Sequence, residues 1–346
     1  MSLTLILLSF AALLFLYLYW GIRMLPGERW QFLASVPVRK SSGGAWEGVN
    51  LTWYGLLSAN AYAVAIGVLV VMMGVVGVSF AGTAVFVAAM LGLCVPASRL
   101  VAMAVEKKAH TFTVGGAVFV GVVAAPWVVL ALNRTLGLMI PPGAALAALA
   151  VAYAFGEGLG RLACLSFGCC YGKRMTALPP LLRRLFAGIS LSFYGSTKKI
   201  AYAGKMEGEP VAPVQAMTAI IYVCSGLAGL VLFLQSCFAA AFLMTLVITQ
   251  GWRFLSETLR DDYRGGGKIS AYQLMGAIAI IYGCAAFRLL TNGTFPIPDL
   301  FAGIAVFNRP LVIIFIQLIW LSIFIYTGRS TVTGASLAFH VNRERI

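Results

Sequence analysis

The sequence predicts an all-α, polytopic helical membrane protein. Apolar residues make up 61% of the chain and charged residues 10%, against about 25% charged in ordinary soluble domains. The mean hydropathy is +0.92. Nine apolar stretches are long enough to cross about 30 Å of hydrocarbon as helices. They lie at roughly 3–20, 57–78, 82–104, 114–132, 143–163, 214–235, 238–256, 271–290 and 309–327. No ten-residue segments of alternating polarity occur, so a transmembrane barrel is not expected.

The first span, "LTLILLSFAALLFLYLYW", has no basic residue before it and no small-x-small cleavage site after it. It reads as a retained helix and not as a secretion signal. In and after the fifth span, Gly156 and Gly160, then Gly168 and Gly172, have the spacing that lets helices approach closely. One sizeable extramembrane segment follows, at about 173–212. Its "LPPLLRRLFAGISLSFYGSTKKIAYAG" mixes apolar residues with Arg183, Arg184, Lys198 and Lys199. That suits either an amphipathic element lying in the membrane interface or a solvated loop with a basic flank. The remaining connections are short, and "RGGGK" at 264–268 is a turn without the flanks of a phosphate loop.

The seven cysteines fall mostly inside spans, a pattern of small buried residues and not of a disulfide framework. Cys164, Cys169 and Cys170 cluster in "GEGLGRLACLSFGCCYGKR" but lack a second CxxC pair or a nearby histidine. No metal is therefore expected there, and no pattern calls for a cofactor.

Of the 25 Lys and Arg residues, 19 fall on one side of the membrane if every span crosses it. The positive-inside rule makes that side cytoplasmic and puts the N-terminus outside. The net charge of +14 then reflects a basic face against anionic lipid heads, and no nucleic-acid partner is implied.

Ionisable residues at membrane depth are costly and become the first functional candidates. Arg161 ends the fifth span, with Glu157 one turn before it. Arg253 and Glu257, four residues apart in "GWRFLSETLR", share a helical face if the helix continues. Arg99 is the third such arginine. A planar guanidinium suits bidentate capture of a phosphate, strongly so in a low-dielectric site. Glu257 would hold Arg253 in place. Internal pairing, or snorkelling to the interface, is the alternative, above all for Arg99.

Seven motifs then follow one another in order: "LTWYGLL" at 51–57, "SRL" at 98–100, "VGGAVFVG" at 114–121, "GRLACLSFGCCYGK" at 160–173, "APVQAMTA" at 212–219, "WRFLSETLR" at 252–260 and "ISAYQLMGAIAIIYG" at 269–283. Together they resemble the prolipoprotein diacylglyceryl transferase family. The resemblance covers about 53–290, a seven-helix transferase-like core. It leaves 1–52 as an added helix with a basic loop, and 291–346 as an added helix with a tail. It implies a multi-pass protein of a bacterial-type inner membrane that moves diacylglyceryl from phosphatidylglycerol, or another anionic phospholipid, to a prolipoprotein cysteine thiol.

Carried over residue by residue, the resemblance makes Tyr54 the aromatic of the W-Y-G motif, and Gly160 and Arg161 the signature's G-R pair. Arg253 and Glu257 become the R and E of the R-F-x-x-E-x-x-R helix. Arg161, Arg253, Glu257 and Tyr54 would form the catalytic set, and Arg99, Gly115, Gly116, Gly160 and Gln215 would join the arginines in substrate binding. The chain also departs from the family. Val114 stands where the family has a histidine, leaving His110 as a substitute base or as an exposed loop residue. Cys164 replaces an asparagine, Phe167-Gly168-Cys169 replaces N-G-E, and Thr218 replaces an acid. In the family the W-Y-G end faces outward, whereas the basic-residue count makes the same end cytoplasmic. A divergent lipid transferase with another acceptor, or a non-catalytic lipid-binding scaffold, therefore remain alternatives.

Overall fold

The computed structural model describes residues 3–107, 113–263, 269–291 and 297–346; His110 and the 264–268 turn lie outside them. Nine long apolar helices occur among the described residues. They are α1 (Leu3–Met24), α2 (Trp53–Val75), α3 (Phe80–Glu106), α4 (Val114–Leu136), α5 (Pro142–Phe167), α6 (Val214–Leu234), α7 (Phe238–Ser256), α8 (Ala271–Leu290) and α9 (Pro310–Gly328). Each matches an expected span, with ends shifted by a few residues. The start of α2 moves back four residues, to Trp53, where Thr52 caps it by accepting from the Gly55 N–H.

The bundle is organised around α5, whose membrane segment is 72% buried, against 17% for α1 and α9. Its alanine-rich face, from Ala144 to Ala154, is almost wholly inaccessible, because small side chains let α2 and α6 come close. A Cβ on Gly156 would stand 3.0 Å from Ala65 of α2, and one on Gly158 3.0 Å from Val223 of α6. Gly160 also faces α2, at an ordinary 3.9 Å from Ala61. The second glycine pair serves otherwise. Gly168 caps α5 at φ +66°, the left-handed position that favours glycine. Gly172 is already in the following loop, where a Cβ would lie 2.3 Å from the Ala212 carbonyl oxygen.

Two features depart from the sequence expectation. Residues 32–52 are not a plain basic loop: Phe32–Lys40 and Trp46–Thr52 form an antiparallel hairpin, and Arg329–Leu337, after α9, adds a third strand to it. The segment at 173–212 is thus one of two extramembrane units. It is also a folded cap and not a solvated loop. Phe186, from the short helix Pro180–Phe186, packs with Met175, Leu178, Ala212 and Val214, while Leu181 and Leu185 stay exposed beside Arg183 and Arg184. Such a face suits the membrane interface.

Lys198, expected among the cap's basic flank, is fully inaccessible. Its Nζ donates to the Leu25 carbonyl at 2.6 Å and sits 5.7 Å from the Phe193 ring centroid. Burial pulls its pKa down to about 8, against the opposing pull of Glu28. Between about pH 8 and the ordinary lysine value the unfolded chain holds a proton that the folded chain has released, so stability rises with pH across that window. Thermal melting should show wild type gaining on Lys198→Met between pH 7.5 and 9.5.

The added C-terminal helix docks on the W-Y-G glycine. Gly55 and Gly328 meet so closely that a Cβ on Gly55 would fall 2.1 Å from the Gly328 Cα. Deeper in the bundle, Trp320 donates to Asn60 Oδ1 at 2.8 Å, and Asn60 donates to the Tyr17 hydroxyl at 3.2 Å, linking α9, α2 and α1. Gly55→Leu should weaken the α9 contact by about 1–3 kcal/mol, the usual cost of overpacking. The change would be read as a lowered melting temperature in detergent.

Candidate functional site

Three residues on α5 at helical spacing, Tyr153, Glu157 and Arg161, form one polar stripe inside the bundle. Arg253, near the end of α7, reaches across to it. The Glu157 carboxylate bridges the two arginines: Oε1 accepts from Arg161 Nη2, and Oε2 accepts from Arg253 Nη2 and the Tyr153 hydroxyl. Arg253 Nη2 also donates to the Tyr153 oxygen at 2.9 Å. All three charged residues are more than nine-tenths inaccessible.

The group therefore carries two cations on one anion. Both guanidinium Nε–H groups are buried without a partner among the described residues, so each arginine retains a donor. Buried donors left unpaired are uncommon and costly. A monoanionic phosphodiester would bring the charge to zero and accept from those donors.

The partner of Arg253 differs from the sequence expectation. α7 ends at Ser256, and Glu257 opens a 3-10 turn, Glu257–Leu259, so the i,i+4 geometry does not extend to it. Glu257 instead accepts from Arg260 at 3.5 Å, and Arg260 grips Asp262 with both Nε and Nη2, at 2.8 and 2.7 Å. Arg260 also forms a backbone bridge with Gly172 in the loop after α5. Lys173 N–H donates to the Leu259 carbonyl at 2.8 Å and Asp261 N–H to Tyr171 at 3.2 Å, pinning the loop after α5 to the end of α7.

The other expected residues divide. A Cβ on Gly115 would stand 3.2 Å from Arg253 Nη1 and 2.6 Å from the Tyr272 ring, so this glycine makes room for the guanidinium. Gly116 instead packs α4 on α3, where a Cβ would meet Val101 at 2.4 Å. Tyr54 is half-buried at the same end of the bundle, edge-on to Phe167 with centroids 5.8 Å apart. Gln215 donates through Nε2 to the Cys169 carbonyl at 3.0 Å, and its Oε1 is buried and unpartnered. Arg99 is exposed on the surface of α3. Thr218, at the acid position, accepts from the Trp252 indole N–H at 2.9 Å.

Tyr153 was not among the expected residues, although its spacing of four from Glu157 was a visible signal. Glu157 was visible as well, but its pairing with Arg253 spans 96 positions and no local rule exposes it.

A cluster of two arginines and one carboxylate is thus buried on the central helices of a multi-pass apolar bundle. The family model for prolipoprotein diacylglyceryl transferase matches residues 45–289, most of the chain, and the protein belongs to that family. Its activity is accordingly of the prolipoprotein diacylglyceryl transferase type, and the protein is a multi-pass membrane transferase. No curated protein matches the chain.

Proposed function

We propose that the protein transfers diacylglyceryl from phosphatidylglycerol to a cysteine thiol of a prolipoprotein. One observation carries this reading: two buried arginines share the single carboxylate of Glu157, and each keeps an unpartnered Nε–H. The phosphodiester of phosphatidylglycerol balances the residual positive charge. As the thiolate attacks the glyceryl carbon, the C–O bond breaks and charge builds on the departing glycerol phosphate. Arg161 and Arg253 are fixed beside that oxygen before the reaction begins, which lowers the barrier without reorganisation. Glu157 and Tyr153 position the arginines, Gly115 leaves space for Arg253, and Tyr54 and Gln215 line the acceptor's approach. Glu257 acts through Arg260 at the mouth.

The mouth, the cap and the sheet share the basic end of the bundle, and in our reading that end faces outward. Several of its basic residues serve folded contacts, as in Arg260 on Asp262, Arg174 on Glu209 at 3.1 Å, and Lys198 on the Leu25 carbonyl. The positive-inside rule is a bias of Lys and Arg counted over short loops, and in our reading the orientation that the family resemblance implies outweighs it here. Arg183, exposed on the short cap helix, reports the sidedness of this end. Arg183→Cys in intact cells should react with an impermeant maleimide. Labelling only after lysis would exclude a prolipoprotein acceptor and leave a lipid transferase acting on another thiol. Release of glycerol phosphate from phosphatidylglycerol separates both from a scaffold, which would bind the lipid and release nothing.

A further inference from the structure

The family's polar residues after the G-R pair are replaced here by Cys164 and Cys169, and the residues placed at the acid and histidine positions, Thr218 and Val114, offer no base. The fold gathers three cysteines at this point. The sulfurs of Cys164, Cys169 and Cys170 all lie within 4.8 Å of one another, and Cys164 and Cys170 stand 4.0 Å apart. Thiolates about 2.3 Å from a common metal ion are separated by about 3.8–4.0 Å, so little movement would close a three-sulfur ligand set.

The backbone is held in a form that serves this gathering. Cys170 has φ +57°, a conformation that costs a side-chain-bearing residue energy and marks an imposed constraint. Cys169 N–H donates to the Cys164 carbonyl at 3.2 Å, and Gln215 holds the Cys169 carbonyl. Cys164 is one turn beyond Arg161, on the same face of α5.

We propose that Cys164, Cys169 and Cys170 bind a thiophilic metal ion of the zinc(II) type, whose fourth position takes the acceptor thiol. The proposal rests on the transfer reaction proposed above and supplies the thiol activation that an absent base would otherwise provide. Three protein ligands with one open position are the usual form of a catalytic zinc site, and thiolate ligands select such ions. A central cation attracts all three sulfurs and displaces their protons.

Three thiolates exceed the charge of a divalent ion by one. Lys199 interacts electrostatically with Cys169 and Cys170 and offsets this excess, Arg161 being held by Glu157 and Arg260 by Asp262. In the reaction, the acceptor thiol binds the ion and gives its proton to water at the mouth. Its thiolate then forms the C–S bond to the glyceryl carbon as the C–O bond to phosphate breaks. The electron pair leaves on glycerol phosphate, which the Arg161–Arg253 pair holds one turn away.

The test uses the full chain, purified in detergent under reducing conditions and stripped with a chelator, with cobalt(II) as a spectroscopic stand-in for zinc(II). The expected result is stoichiometric uptake with sulfur-to-cobalt charge-transfer absorption. Cys164→Ser, Cys169→Ser and Cys170→Ser should each lose it, and Cys224→Ser, in the exposed thiol on α6, should keep it. Adding a peptide with one cysteine should shift the spectrum, and its serine counterpart should not. Absence of uptake by wild type, equal uptake by all variants, or a spectrum indifferent to the cysteine peptide would each overturn the proposal. Full transfer by metal-free protein would sink the metal site and leave the transferase reading standing. Metal and thiol binding without transfer from phosphatidylglycerol would do the reverse.

Discussion

Arg253→Ala should lower the rate of diacylglyceryl transfer by about 10²–10³-fold, the usual cost of removing one preorganised donor from a developing oxyanion. Arg253 donates to Glu157 and Tyr153 and keeps its Nε–H unpartnered, so the variant loses a donor and half of the cationic pair together. Arg161→Ala should fall by a similar factor. Arg253→Lys should recover little, since a point charge cannot hold the carboxylate and a phosphate in one planar fork. Glycerol phosphate release and acceptor labelling should decline in parallel. A variant that kept its wild-type rate would remove Arg253 from the chemistry.

Glu157→Ala should damage the fold itself. It leaves two guanidinium groups buried against each other at the centre of the bundle, and stranding a buried charge costs about 3–5 kcal/mol. The protein should accumulate poorly and melt much lower. Adding Arg253→Met removes one of the stranded cations, so the double variant should recover much of that stability while staying inactive. This non-additivity is what a directly coupled group shows, and melting temperatures for the single and double variants would reveal it. If the double variant melts lower than Glu157→Ala, the carboxylate is not the element that holds the arginines.

The helices were legible because crossing hydrocarbon demands some twenty apolar residues, and that demand is local in sequence. The arginines were legible for the complementary reason, that charge at depth is expensive. Their partner was not. The four-residue rule pointed from Arg253 to Glu257, but it holds only while the helix lasts, and α7 stops at Ser256. The true bridge comes from another helix. The three-stranded sheet was hidden for a related reason: its third strand, Arg329–Leu337, pairs with Trp46–Thr52 across most of the chain, and no local pattern records that. Burial of Lys198 likewise depends on a carbonyl at Leu25. The cysteine cluster was visible as spacing, but only the left-handed turn at Gly168 and Cys170 brings its sulfurs together.

The central claim is that this arginine site moves a glyceryl group from a phospholipid to a thiol. The most direct test is the intact mass of a single-cysteine prolipoprotein peptide after incubation with the purified protein and phosphatidylglycerol. The account predicts a gain equal to one diacylglyceryl group, attached through the cysteine sulfur and absent with Arg253→Ala. An unchanged peptide mass in the presence of folded, lipid-bound wild-type protein would contradict it.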